Sequence, residues 1–593
     1  MDPHGDYRNR LAQRKAARDQ CERRKWTVSL LRMATALVFI AMLWLGFGRD
    51  VFSSWFVLIP VLIFAGLVLY HHRLIRVEHG AKRAAAFYER GLERIENRWH
   101  GKGTAGTAYN EIPHLYAKDL DLFGPGSLFE LLCTARTRSG EDTLARWLRT
   151  PASRAEILRR QEAVEELRNR VDLREDLALL GSDVRSTVDP EFMTKWATAP
   201  LRLSSAATRM IAAVLVAWTG VMLIYWGVLG GHASFLYYSL IAGAVVGLLY
   251  RRRVREVLAT IDEPARELAI LGLALRRIER EAFSSTRLRE LQTNLAKEGK
   301  RPSEEIASFI SLVDYLNQRH NQFFFILSLP LLWATQFAFA IEAWRGRCGP
   351  AIRAWLENVG EFEALCSLAG YAYEHPNDPF PEIVERATLF EGEELRHPLI
   401  SESALMPNSV FLSGEHQLLL VSGSNMSGKS TLLRTVGTNV VLAQAGAPVR
   451  AKRVTLCVLA IAATLSIQDS LQGGTSRFYA EIQRLHETME LTAGPLPVLF
   501  LLDEILHGTN SHDRAIGAEA IVHGLVARGA IGLVTTHDLA LARVAESLAP
   551  RASNVHFEDH LENGRMTFDY RLRPGVVQKS NALELMRAVG LKV

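Results

Sequence analysis

The run Gly423-Ser424-Asn425-Met426-Ser427-Gly428-Lys429-Ser430 has the spacing G-x-x-x-x-G-K-[ST] and is followed by Thr431. That spacing suits the grip of a phosphate chain. Glycines let the backbone turn tightly enough for successive N–H groups to surround phosphate oxygens, with the positive end of a helix dipole pointing at them. Lys429 then reaches the β- and γ-phosphates, and Ser430 holds Mg²⁺. The apolar Leu418-Leu419-Leu420-Val421 before the loop and Leu432-Leu433-Arg434 after it predict the strand and helix that the motif requires. Pro497 to Leu502 is a continuous apolar run, as in a central parallel strand buried on both faces, and it ends in Asp503-Glu504. A carboxylate pair at a strand's end suits the water shell of Mg²⁺ (Asp503) and activation of an attacking water (Glu504). A further apolar run, Ala530 to Val534, leads to Thr535-Thr536-His537-Asp538. His537 is placed to contact the γ-phosphate or the attacking water, although a lone histidine at a strand end is also a common structural residue. The expectation is an α/β domain that binds and hydrolyses ATP with Mg²⁺.

Four segments in order resemble the ATPase domain of the MutS family. They are G-S-N-M-S-G-K-S-T, then G-G-T-S-R-F-Y-A-E (Gly473 to Glu481), D-E-I-L-H-G-T-N after the second strand, and T-T-H-D. Arg396-His397-Pro398-Leu399 and Pro407-Asn408 resemble the opening of that domain, and Asn554-Val555-His556-Phe557 its closing part, so the likeness runs from about Phe390 to Leu591. The resemblance implies a P-loop fold of the ABC superfamily, in which S-x-F-x-x-E, here Ser476, Phe478 and Glu481, stands for the ABC signature. In the family that serine completes the partner subunit's site at the γ-phosphate. The resemblance therefore adds Ser476 to Glu504 and His537 as a catalytic residue, and implies a homodimer with composite sites acting on DNA. Two departures stand out. Ser424 replaces the family's proline, which sacrifices only rigidity, and the aromatic that packs on adenine is here Leu405 or Met406. Tyr570 is a candidate replacement. The expected nucleotide-binding set is Gly423 to Thr431 with Tyr570, and the Mg²⁺ set is Ser430 and Asp503.

The elements that must carry these residues include some of a different character. The chain has 593 residues, enough for three to five structural units, and 48% hydrophobic content beside 22% charge implies that part of it faces lipid. Residues 1–25 read as a basic tail serving as topology signal or anionic-lipid contact. Trp26 to Phe47 and Trp55 to Tyr70 form a transmembrane hairpin (26–72), followed by a juxtamembrane linker (73–118). Residues 119–206 resemble the MutS core domain through Leu122-Phe123-Gly124 and Thr143 to Leu148. Ile211 to Leu229 and Phe235 to Tyr250 make a second hairpin (207–250), closed by Arg251-Arg252-Arg253. Lever-like helices are expected over 251–375 and the ATPase domain over 376–593. Basic residues flank the outer ends of both hairpins, which predicts a multi-pass inner-membrane protein with four spans, both termini cytoplasmic. A fifth apolar stretch, Phe323 to Ile341, contains Pro330 and Gln336. A span there would carry the ATPase domain away from ATP, so it reads as a buried or membrane-surface helix.

MutS mismatch recognition uses an N-terminal domain with an F-x-E wedge, a region occupied here by tail, hairpin and linker. Phe87-Tyr88-Glu89 matches by letter only. Cys21, Cys133, Cys348, Cys366 and Cys457 lack zinc or disulfide spacing, and a net charge of +5 argues little for nucleic acid. Three readings follow: a membrane-anchored MutS-like ATPase on DNA, in repair or recombination; an ATP-driven clamp for a protein partner at the membrane; and an ABC-transporter-type ATPase. The last is opposed by the small number of spans and their lack of polar lining.

Overall fold

The computed structural model describes residues 2–48, 54–179, 190–203, 206–295, 300–318, 328, 330–385, 387–401, 406–424, 426–465, 477–506, 511–537, 539–562 and 565–577. The chain divides into two compact units, one of Met1–Cys133, Ala145–Leu179 and Leu368–Val593, the other of Thr134–Leu144 and Leu180–Ser367.

The first unit begins with helices α1 (Pro3–Gly48, 46 residues) and α2 (Leu58–Ile95, 38 residues). At 1.5 Å per residue they are about 69 and about 57 Å long, well beyond a hydrocarbon core of about 30 Å. Only the apolar part of each matches a span, and the polar parts run on as an antiparallel pair. Lys25 meets Glu78 at 2.7 Å and Lys15 meets Glu89 at 2.8 Å. Gly91 is required where Tyr7 crosses, because a Cβ there would lie 2.4 Å from the Tyr7 ring. The segments read as a basic tail (1–25) and a juxtamembrane linker (73–118) continue these two helices, from residue 3 and up to residue 95. Residues 3–25 are the first half of α1, and their cations meet carboxylates of the same unit, Arg10 with Asp6 and Asp172, Arg14 with Glu175. Phe87 and Tyr88 are buried in this pair, stacked edge-on with Tyr7 beside Tyr373, and serve as core.

The second unit holds α3 (Ala206–Gly227) and α4 (Ala233–Leu258), an apolar helical hairpin. Among the described residues, α1 to α4 are the helices long and apolar enough to cross a membrane by length and composition. Within 251–375, where lever-like helices are expected, the part from 262 to 317 is made of shorter elements. That stretch is broken into helices Asp262–Glu279, Thr286–Leu295 and Pro302–Asn317, of 18, 10 and 16 residues. The first and third pack face to face, Gly272 lying so close to Ile306 that a Cβ would approach within 2.7 Å. The long helix is instead α5 (Trp333–Glu374, 42 residues, with Pro350 inside), about 63 Å by the same rise. Its start overlaps the fifth apolar stretch, part of which (323–327 and 329) lies outside the described residues. Ala338, Phe339 and Ile341 are buried, and buried Glu342 pairs with Arg345 at 2.9 Å while accepting the Arg202 N–H at 2.7 Å. The described part is thus packed into protein.

The C-terminal part of the first unit is α/β with two sheets. Its strands are β1 (Glu382–Val384), β2 (Leu389–Leu395), β3 (Asn408–Ser413), β4 (Leu418–Ser422), β5 (Arg453–Cys457), β6 (Ala460–Thr464), β7 (Val498–Asp503), β8 (Ile531–Thr536), β9 (Ala552–Glu562) and β10 (Arg565–Pro574), with helices after β4, β6, β7 and β8. Of these helices, α6 (Lys429–Ala445) follows β4 and α7 (Arg477–Leu491) precedes β7. The larger sheet has the order β10-β9-β4-β8-β7-β6, parallel except for β10. β4 and β8 are buried along their whole length and β7 up to Asp503, as continuous apolar runs require. The smaller sheet runs β1-β5-β2-β3.

Candidate functional site

The neighbouring strands β4, β8 and β7 end together at their carboxyl edge, where ligands of open α/β sheets bind. The loop leaving β4 needs left-handed backbone at Gly423 (φ 151°), Met426 (φ 72°) and Gly428 (φ 101°). A Cβ on Gly423 would sit 2.8 Å from Ser427 Oγ, so the first glycine is demanded by space as well as by φ. α6 starts at Lys429, leaving its first-turn N–H groups without helical partners. The Lys429 ammonium donates to the carbonyls of Gly423 and Ser424, both at 2.9 Å, and lies 3.9 Å from Glu504 Oε1. Burial holds its pKa below the usual lysine range, with Glu504 and Asp503 opposing. The hydroxyls of Ser424 and Ser427 are buried without partners. A buried cation held by loop carbonyls with Glu504 at 3.9 Å, two hydroxyls without partners among the described residues and first-turn helix N–H groups fit a bound phosphate chain. Ser430 and Thr431 occupy the first turn of α6.

Asp503 closes β7, and Thr535 on the adjacent β8 donates its hydroxyl to Asp503 Oδ1 while accepting the Glu504 N–H at 3.1 Å. Sequence reasoning quoted Thr535 without a role, and its visible signal was a hydroxyl at the end of an apolar run. Glu504 and Leu506 both have positive φ, 46° and 57°, a tight turn that sets the Glu504 carboxylate 3.5 Å from His537 Nδ1. Buried Glu481 of α7 accepts the Leu506 N–H and holds that turn. The last residue of the S-x-F-x-x-E segment therefore supports Glu504, and Phe478 packs on the sheet's core. Lys429, Glu504 and His537 come together, Glu504 lying 3.9 Å from Lys429 and 3.5 Å from His537. Asn425, Asp538 and Ser476 lie outside the described residues.

A cavity of ≈ 230 Å³ opens beside the loop, lined by Met406, Asn408, Gly428, Thr431, Phe557 and Tyr570 among others. Of the two candidates for the position before Pro407-Asn408, Met406 lines it, and Leu405 is outside the described residues. Tyr570 sits at φ 55° where the register of β10 against β9 shifts between Phe568 and Leu572. Asn408 spans this bulge, donating to the Tyr570 carbonyl at 2.9 Å and accepting the Leu572 N–H at 2.8 Å. The ring of Tyr570 is thereby set against Gly428, a second residue role that sequence reasoning did not assign. A further one is Asp119, buried, which accepts the Leu465 N–H at 2.9 Å where the chain leaves β6 and faces Arg484 of α7 at 3.6 Å.

No group of three or more His, Cys, Asp or Glu suited to a metal occurs among the described residues, so Mg²⁺ here would depend on Ser430, Asp503 and the phosphates themselves.

Residues 419–592 match the family model of MutS domain V. The chain is 32% identical over 237 residues to the DNA mismatch repair protein MutS of Natronomonas pharaonis, covering 39% of this chain and 27% of that protein. It is 32% identical over 243 residues to MutS of Thermus thermophilus, 41% of this chain and 29% of that protein. To DNA mismatch repair protein MutS 2 of Halobacterium salinarum it is 34% identical over 235 residues, 39% and 26%. The chain thus spans under a third of the length of these relatives, and the likeness lies in its C-terminal part.

Proposed function

We propose that this chain, whose C-terminal part is related to domain V of the MutS family, is a membrane-anchored ATPase that works as a homodimer on DNA. The observation that carries the reading is the convergence of Lys429, Glu504 and His537 at the ends of adjacent strands around a loop suited to phosphate. Gly423 to Thr431 hold the phosphates of ATP, Ser430 and Asp503 hold Mg²⁺, and Tyr570 with Met406 contacts the base. Mg²⁺, when bound, neutralises charge on the phosphates. The Glu504 carboxylate takes a proton from the attacking water, and His537, 3.5 Å away, orients it. Ser476 completes the partner subunit's site. Large apolar side chains exposed beside the site, Met426 on the loop and Tyr479 and Ile482 on α7, suit burial between subunits. Helices α1 to α4 supply the membrane anchor, with both termini cytoplasmic. DNA as partner rests on the relatives' names, and mismatch discrimination is expected to be slight, because Phe87 is core and presents no wedge.

That burial of Phe87 also favours a second reading, an ATP-driven clamp for a protein partner. The test uses the full chain in detergent. Lys429→Ala should lose ATP binding, and Glu504→Gln should keep binding while turnover falls about 10²–10⁴-fold. With Glu504→Gln trapped on ATP, DNA affinity should fall steeply with salt and differ little between homoduplex and mismatched DNA. Wild-type turnover in Glu504→Gln would refute the assignment of the base. Absence of DNA binding even at low salt would select the protein clamp.

A further inference from the structure

The face of α4 that carries Leu240, Gly243, Ala244, Gly247, Leu248 and Arg251 follows the i, i+3, i+4, i+7 pattern of a single helical stripe. It borders a cavity of ≈ 1390 Å³ whose far wall includes Pro330, Leu332 and Trp333. The floor is concave because its residues are small. A Cβ on Gly243 would meet nothing within 4 Å, and one on Gly247 would meet only Leu332 Cδ2, at 3.3 Å. The Trp333 indole is tied back by its N–H to the Tyr315 carbonyl at 2.8 Å, so the wall is anchored. The groove is apolar along the stretch of α4 that has the composition of a span, and it ends in cations at Arg251 and Arg255. Neighbouring Arg252 is paired with Glu256 at 3.2 Å, as is Arg202 at 2.9 Å, but Arg251 and Arg255 have no carboxylate partner among the described residues.

We infer that this groove is a binding site for one anionic phospholipid, its acyl chains lying over Gly243 and Gly247 and its headgroup phosphate paired with Arg251 and Arg255. A groove that is apolar over a bilayer-depth segment and cationic where that segment meets water matches the two ends of such a molecule. A zwitterionic lipid would leave the pair of arginines with no net charge to neutralise. A soluble apolar ligand would not use them. The inference rests on the membrane reading of α3 and α4.

The experiment is native mass spectrometry of the full chain released from vesicles of equimolar phosphatidylglycerol and phosphatidylcholine. Wild type should retain phosphatidylglycerol in preference. Arg251→Gln with Arg255→Gln should lower that retention about thirtyfold, from two basic side chains at an anionic surface. Arg252→Gln, whose side chain is already paired, should leave it unchanged. Gly243→Phe, which starts from a position where a Cβ meets nothing within 4 Å and extends into the groove, should abolish retention with both arginines intact. If wild type is membrane-embedded but holds the two lipids equally, or if the double variant or Gly243→Phe retains phosphatidylglycerol as wild type does, the lipid site is refuted and the membrane reading stands. If the chain is soluble without detergent and does not enter vesicles, the membrane reading itself fails and takes the site with it.

Discussion

At the scale of residues, the proposed base contact is Tyr570, on the wall of the cavity beside the loop. Tyr570 stands in a bulge that Asn408 bridges with both ends of its amide, so the two side chains act together. Stacking of a base on an aromatic ring contributes about 1–3 kcal/mol. Tyr570→Ala should therefore weaken ATP binding about tenfold or more with turnover at saturation little changed. Asn408→Ala should weaken binding in the same direction through loss of the bulge, while Tyr570→Phe stays near wild type. Titration with a fluorescent ATP analogue measures all three, and unchanged affinity in Tyr570→Ala would remove Tyr570 from the binding set.

At the scale of elements, the polar half of the α1–α2 pair is docked through Glu374, the last residue of α5. Arg94 Nε donates to Glu374 Oε2 at 2.7 Å and the Tyr7 hydroxyl donates to Oε1 at 3.4 Å, while Tyr373 reaches Asp6 at 2.7 Å. Burial pushes the Tyr7 phenol up to about 12, which keeps it a donor through the neutral range. A few residues on, Asp378 pairs with Arg450 at 3.2 Å, and the Arg450 N–H reaches Asn439 of α6 at 2.8 Å. The foot of the α1–α2 pair is thus connected by polar contacts to the helix that begins at Lys429. Glu374→Ala leaves Arg94 buried without its partner, at a cost of about 3–5 kcal/mol. Hydrogen exchange should rise in residues 3–20 and stay near wild type in the strands of the larger sheet. Equal exchange in α1 would show that Glu374 does not hold it.

At the scale of the whole molecule, the two units should answer pH in opposite senses. In one, burial raises the Glu363 carboxyl to about 7 despite donors from Thr137 and Arg136. Between the ordinary value of 4.5 and about 7, the folded unit keeps a proton that the unfolded chain has released, so its stability falls as pH rises. In the other, burial holds His375 down to about 3 and His397 to about 4. Below the ordinary 6.5 the unfolded chain takes up protons that the folded unit refuses, so stability falls as pH drops toward those values. Exchange protection, corrected for intrinsic rates, should be greater around Glu363 in mild acid and greater around His375 and His397 in mild alkali, and Glu363→Gln should flatten the first trend. The proposed dimer has its own test. Ser476→Ala mixed with Lys429→Ala should recover ATPase activity that neither has alone, since the Lys429-intact protomer receives a normal serine from its partner. No recovery in mixtures shown to contain heterodimers would count against completion across the interface.

Much of this protein is legible in the chain itself, because the features concerned are local. The glycine spacing, the apolar runs of β4, β7 and β8, the carboxylates that end one of them and four long apolar helices each depend on residues close in sequence, where periodicity and backbone preference act directly. What the sequence did not disclose depends on contacts between distant residues. The basic start of the chain read as a tail for topology or anionic lipid, and its carboxylate partners, Glu78, Glu89, Asp172 and Glu175, lie far along the chain. Likewise, the reading of helices over 251–375 could not say that Asp262–Glu279 and Pro302–Asn317 would pack on one another while the longest helix would be Trp333–Glu374. Thr535 under Asp503, Asn408 across the Tyr570 bulge and Asp119 at the end of β6 were decided only when tertiary packing brought buried polar groups together and required each to find a partner.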